Sequence, residues 1–260
     1  MCLLLSCDRE SPFSHSEVDT QATLSRTSSR DTYEGYTLYT SEPNYTTYLI
    51  DNDLNVVNSW VSDCQPASMA YLLPDHTLLY PCKQENVVLE GVAASGGRII
   101  KYDWDGNILW DWTCDLEYQL HHDIEPTPNG TILALAMEDI GFRPDVVLEI
   151  EPNGMHGANL VWTWKVSEHM GELNDPYKFY EDADYNQMDW NHFNAVSLNN
   201  GQISLSSRNW SEVHVIGWGG SSNILHRWGN PQNYGNGDDS DRILFAQHGV
   251  NQIPDGYPGE

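Results

Sequence analysis

The chain has 260 residues, of which 40% are hydrophobic and only 19% charged, enough apolar surface for a substantial core and too much for wholesale disorder. Twelve basic against 38 acidic side chains give a formal charge of −26, which excludes nucleic acid as a partner because phosphate binding needs a basic footprint. Ten Trp and 14 Tyr against 5 Phe suit strands with half-buried faces better than a helical bundle.

The first residues, Met-Cys-Leu-Leu-Leu-Ser-Cys7-Asp8, read either as the clipped end of a lipoprotein signal acylated at Cys7 or as a chance match, since a basic n-region and a longer apolar run are missing. Residues 1–31 are assigned as signal remnant and disordered tether, and 32–260 as a single all-β domain.

From residue 48 onward two kinds of hairpin alternate. One runs strand, Asp/Asn/Gly turn, strand, tryptophan: 48–60, 99–112, 146–164 and, with a longer turn, 213–228. The other runs strand, Pro/Asn/Gly turn, strand: 69–80, 122–137, 192–206, and a fourth copy opening at 248–256. Trp60, Trp110 and Trp162 are spaced by 50 and 52 residues. Four strands per unit of about fifty residues is the pattern of a β-propeller blade. The fold expected is therefore an all-β propeller of four-stranded blades. About four blades are present, either closing as a four-bladed ring or forming most of a six-bladed one whose last blades are missing.

Between Trp164 and His192 an insertion, 167–189, carries Tyr177, Phe179, Tyr180 and Tyr185 among seven acidic residues. It reads either as an aromatic lid in which Phe179 and Tyr180 grip a ligand's ring, or as an ordinary surface loop. Of the five cysteines, Cys2, Cys7, Cys64, Cys82 and Cys114, none forms a metal-type pair; in an oxidising compartment two of the last three would join. The acidic run 236–241 lacks the spacing of a calcium loop.

Aligning the second hairpins by their turns places His122 eight residues before Gly130, His248 eight before Gly256 and His192 nine before Gly201. Three imidazoles at one register face the same end of the ring, and Arg208 follows at the end of the strand after His192. Singly, such histidines are structural ties within a blade. Zinc is a weaker reading, because no His-x-His or HExxH pair would nucleate the site.

These motifs resemble the bacterial arylsulfate sulfotransferases. The resemblance rests on His121-His122-Asp123-Ile124 followed by Pro-Asn-Gly, on Asp189-Trp190-Asn191-His192-Phe193-Asn194 followed by Ser-Ser-Arg208, and on Gln247-His248; it covers roughly residues 35–260. It implies a six-bladed propeller, a periplasmic or extracellular location, no adenosine phosphosulfate cofactor, and sulfuryl transfer between phenols through a sulfohistidine. Carried over by motif, His248 is the nucleophile, His122, His192 and Arg208 assist it, and His121 and Asn194 contact substrate. No cofactor and no metal are expected. The partners expected are an aryl sulfate donor and a phenolic acceptor, with a lipid anchor at Cys7 and a homodimer. Two other readings compete: a non-catalytic binding propeller, lectin-like or scaffold, and a quinoprotein-like dehydrogenase, whose repeats share the Asp-x-x-Gly-x-apolar-x-Trp pattern.

Overall fold

The structure, a computed structural model of the chain, describes residues 33–41, 43–169, 189–220 and 223–253. Cys7 and the signal-like start lie outside them, as do Phe179, Tyr180 and most of the 167–189 insertion. Among the described residues no helix is long and apolar enough to cross a membrane.

Among the described residues, fifteen strands form four antiparallel meanders. The first has three strands: β1 (Tyr36–Thr40), β2 (Thr46–Asp51) and β3 (Val56–Val61). The second runs β4 (Tyr71–Leu72), β5 (Leu78–Lys83), β6 (Gly97–Tyr102) and β7 (Ile108–Thr113). The third runs β8 (Gln119–Pro126), β9 (Ile132–Met137), β10 (Asp145–Asn153) and β11 (Gly157–Lys165). The fourth runs β12 (Phe193–Asn199), β13 (Gln202–Ser207), β14 (Glu212–Gly217) and β15 (Ile224–Trp228). The architecture is all-β and its sheets are blade-like.

The turns explain the hairpins. Asp51 and Asp103 each open a turn whose backbone they hold with their own carboxylate. Asp51 Oδ1 accepts from Asp53 N and Asn55 N, and Asp103 Oδ1 accepts from Asp105 N and Asn107 N. Such Asx turns let a short polar side chain replace a ladder partner. Both turns need a left-handed residue one place before the asparagine. Gly106 supplies it at φ +85° without steric cost, whereas Leu54 occupies the matching place at φ +66°.

Each core lies between consecutive sheets, not within one. Leu78, Tyr80 and Cys82 pack toward Leu49 and Trp60 of the first sheet, while Leu79 between them packs toward the third. Leu133 and Leu135 likewise face the fourth sheet, and Ile132, Ala134 and Ala136 the second. Period-two alternation with both faces covered accounts for uninterrupted apolar runs such as ILALAM in β9. The repeated tryptophans bridge neighbours. Trp60 Nε1 donates to Asp103 O at 2.8 Å, and Trp110 Nε1 donates to Gly157 O at 2.8 Å, each reaching the hairpin of the following sheet.

Two features differ from the sequence reading. The repeat begins with the tryptophan hairpin, but each four-stranded sheet begins with the other kind and closes with the tryptophan hairpin that follows it. Hairpin register is local, whereas the choice of which hairpins share a ladder depends on contacts distant in sequence. The fourth copy of the second hairpin forms no strand over its described residues, 248–253. Side chains anchor that stretch instead, Gln252 donating to Ser204 Oγ at 2.8 Å and its backbone N–H to Ser197 Oγ at 3.3 Å.

The open cysteine pairing resolves as Cys64–Cys82, with Cα atoms 5.9 Å apart, leaving Cys114 a buried thiol. Closing 18 residues of chain stabilises the fold by about 3 kcal/mol through lost freedom of the unfolded state.

The first strands of the third and fourth sheets meet edge to edge without a ladder, and two carboxyls satisfy the exposed amides. Val196 N donates to Asp123 Oδ2 at 3.0 Å and Leu198 N donates to Glu125 Oε1 at 3.3 Å; Tyr71 Oη also donates to Asp123. Burial pushes both carboxyls up to about 7. The unfolded chain ionises them near pH 4, so their stabilising proton is retained below that and lost as pH rises through 7. The expected result is an Asp123→Asn protein whose melting temperature falls less than wild type's between pH 5 and pH 8 in calorimetry. Histidine contributions are common to both proteins and cancel in the comparison; equal slopes would show that Asp123 is ionised throughout.

Candidate active site

Two strand openings are built alike. Ladder pairing in β8 jumps from Leu120 to Ile124, and in β12 from Phe193 to Ala195, so each strand carries a bulge beside its histidine. His122 and His192 both sit at φ +53°, a left-handed conformation that costs a non-glycine residue on the order of 1 kcal/mol. Backbone hydrogen bonds hold each in place: His122 N donates to Ala94 O at 3.0 Å, and Arg208 N donates to His192 O at 3.0 Å. A bulge re-aims its side chain out of the strand's alternation. The third histidine, His248, lies on the ladderless stretch after β15, two residues past Ala246 at φ +50°.

The rings meet. His122 and His192 pack edge to face with centroids 4.7 Å apart, and His192 and His248 lie 6.2 Å apart. His192 is 4% exposed, and its Nδ1 lies 2.6 Å from Asp189 Oδ2, so the ring donates there and turns Nε2 the other way. Asn194, the bulged residue of β12, donates from Nδ2 to Gln247 O at 2.7 Å and so ties the His248 segment to the His192 strand. Gln247 completes the tie from Nε2, donating to Ser206 Oγ, Ser207 O and Glu212 O. Arg208 Nη1 donates to Asn209 Oδ1 at 3.1 Å.

Several polar atoms here are buried and unspent. Among the described residues, His248 Nε2, Arg208 Nε and Asn194 Oδ1 are buried with no hydrogen-bond partner. Orphaned donors and acceptors in a dry site cost about 1–3 kcal/mol each and persist where something else supplies the partner. Burial lowers His122 well below the ordinary histidine range, aided by repulsion from His121, His192, His248 and Arg208. Burial, His192 and Arg208 lower His248 as well. Both rings are therefore neutral at pH 7. Among the described residues no group of three His, Cys, Asp or Glu is arranged to hold a metal ion.

The model of the arylsulfotransferase (ASST) family matches residues 21–256, nearly the whole chain. The chain belongs to the arylsulfotransferase family. None of the curated proteins matches it. Among solved structures, it is similar to a chain in "Crystal structure of BBS1N in complex with ARL6DN, soaked with mercury", at 10% identity over 74% of this chain and with a TM-score of 0.35. That alignment spans 54% of the other chain, about half its length.

Of the residues singled out in the sequence, His122, His192 and His248 come together, and Arg208 and Asn194 are attached to the same segments. His121 points elsewhere: its Nε2 lies 3.0 Å from Asp145 Oδ1. Sequence reasoning passed over Asp189, Gln247 and Asp145. The first two stood inside the quoted motifs, three residues before His192 and one before His248. Asp145 lies on another strand and had no sequence signal.

Proposed function

We propose that this member of the arylsulfotransferase family moves a sulfuryl group from an aryl sulfate to a phenolic or other hydroxyl acceptor, without adenosine phosphosulfate, through a sulfohistidine at His248. The observation that carries the reading is the meeting of three imidazoles, two at strand openings and one on the ladderless stretch after β15, beside one arginine, in a chain of this family.

A sulfate ester offers a sulfur ringed by anionic oxygens and an aryloxide leaving group. Neutral imidazole attacks such a centre and forms a reversible adduct. His248 has a buried, unpartnered Nε2 and is neutral at pH 7, which is what a nucleophile requires. Arg208 has a buried Nε–H still to donate, and its planar fork suits two sulfuryl oxygens. His122 and His192 exchange protons with the departing aryloxide and the incoming phenol, and Asn194 contacts the donor. By analogy with phosphoryl transfer, positioning and charge stabilisation supply most of the acceleration.

A β-propeller is the natural completion of four blade-like meanders packed face to face. The Cys64–Cys82 disulfide favours an oxidising, extracytoplasmic location. The lipid anchor at Cys7, the homodimer, the phenol-gripping Phe179 and Tyr180, and the division into a tether (1–31) and a propeller domain (32–260) belong to the same proposal.

Incubation with 4-nitrophenyl sulfate and phenol tests the reading. The expected result is release of 4-nitrophenol that depends on phenol, appearance of phenyl sulfate, and an acid-labile sulfur label on the protein when phenol is left out. Nitrophenol release that ignores phenol would mean hydrolysis; no release at all would leave a binding module.

A further inference from the structure

Behind His122 lies a buried pair that the chemistry above does not use. His121 is 3% exposed and Asp145, the first residue of β10, is fully buried. His121 Nδ1 lies 2.9 Å from His122 Nδ1, and its other nitrogen, Nε2, lies 3.0 Å from Asp145 Oδ1. The Nε2–Oδ1 contact is off the line of a good hydrogen bond, and among the described residues neither atom has another partner. Asp145 Oδ2 is already occupied, accepting from Asn191 Nδ2 at 2.7 Å and from the backbone N–H of Phe193. Asp145 N donates in return to Asn191 Oδ1 at 2.9 Å. The carboxylate is thus pinned between β10 and the segment that carries His192, with Oδ1 turned to His121.

A ring nitrogen 3.0 Å from a carboxylate oxygen in a dry site carries the proton, since the bare nitrogen would set one lone pair against another. With its proton on Nε2, a neutral His121 offers Nδ1 as an acceptor. The hydrogen across the 2.9 Å gap then comes from His122 Nδ1. We propose that Asp145 and His121 are a positioning relay that locks His122 in its Nδ1–H tautomer and makes His122 Nε2 the base for the acceptor's proton, a role that rests on the transferase reading above. The arrangement parallels the carboxylate that fixes the tautomer of a catalytic histidine, with a second imidazole interposed.

The proton bookkeeping closes over a cycle. In the acceptor half-reaction the phenol oxygen bonds to sulfur as the sulfur–nitrogen bond to His248 breaks, and that electron pair returns to the His248 ring. The phenolic proton passes to His122 Nε2, and it leaves with the aryloxide of the next donor.

Nitrogen-15 NMR of the full chain with labelled histidine, at pH 7.5 and without substrate, reads the tautomer directly. The expected wild-type pattern for His122 is a protonated Nδ1 and a bare Nε2. His121→Leu should revert His122 to the Nε2–H form favoured in water and slow phenol-dependent turnover by about 10²-fold, while the first burst of nitrophenol persists. His121→Asn keeps an acceptor at the position of Nδ1 and should restore both the tautomer and most of the rate. A wild-type His122 protonated on Nε2, which a doubly protonated His121 would impose, overturns the relay, as does a tautomer that ignores His121→Leu. A chain that shows the lock yet transfers no sulfuryl group overturns the base assignment and the transferase reading while the lock stands.

Discussion

His248→Ala is expected to lower phenol-dependent transfer by on the order of 10⁴-fold or more and to abolish the sulfur label, because the proposed covalent intermediate loses its atom of attachment. The substitution should leave the fold intact. His248 lies on a stretch with no ladder, and the neighbouring Gln247 and Gln252 anchor that stretch through their own side chains. Its electrostatic setting adds a second readout. Burial, with His192 and Arg208 beside it, holds His248 below the ordinary histidine range, so the ring stays neutral until the pH falls beneath 6.5. The nitrophenol burst should therefore hold constant from neutrality downward and decline only below that value. Near-wild-type transfer by His248→Ala would show that another imidazole is the nucleophile. A label mapped to a His192 peptide would name it, because His192 is the ring next to His248 at 6.2 Å.

The hairpins were legible in the sequence because their signals are local. An aspartate that binds its own turn, as Asp51 and Asp103 do, needs no distant partner to declare itself. Spacing from the Gly130 and Gly201 turns likewise gave the register of His122 and His192, each at the opening of the first strand of its sheet. Grouping hairpins into sheets was not legible; the sequence pairs each tryptophan hairpin with the one after it, and the ladders pair it with the one before. The bulges were hidden too. Nothing in Leu120–Ile124 or Phe193–Ala195 announces a skipped register, and a histidine at positive φ is imposed by its surroundings, not by its own preference. The same holds for the His121–Asp145 contact, which joins residues 24 positions apart on strands β8 and β10. What sequence periodicity reports is which residues share a face; what a bulge does is take one residue off it.

Arg208→Leu should cost 10²–10³ in kcat, the usual loss when a preorganised donor to a developing anionic oxygen is removed. It should also move the acid limb of the pH profile upward. A fixed cation disfavours protonation of neighbouring imidazoles, and Arg208 contributes to lowering both His122 and His248. Without it their pKa values rise, so His248 protonates at a higher pH than in wild type. Arg208→Lys separates the two effects. A lysine keeps the charge, and with it the acid limb, but lacks the planar fork and the Nε–H that is buried without a partner; it should lose about tenfold in rate and leave the pH profile in place. The geometry makes these outcomes specific. Arg208 is tied by its backbone to His192 O at 3.0 Å, so both variants keep the loop where it is and change only what the side chain offers. An Arg208→Leu protein with wild-type kcat and an unmoved acid limb would place the guanidinium outside the reaction and leave the sulfuryl oxygens to be held by the histidines alone.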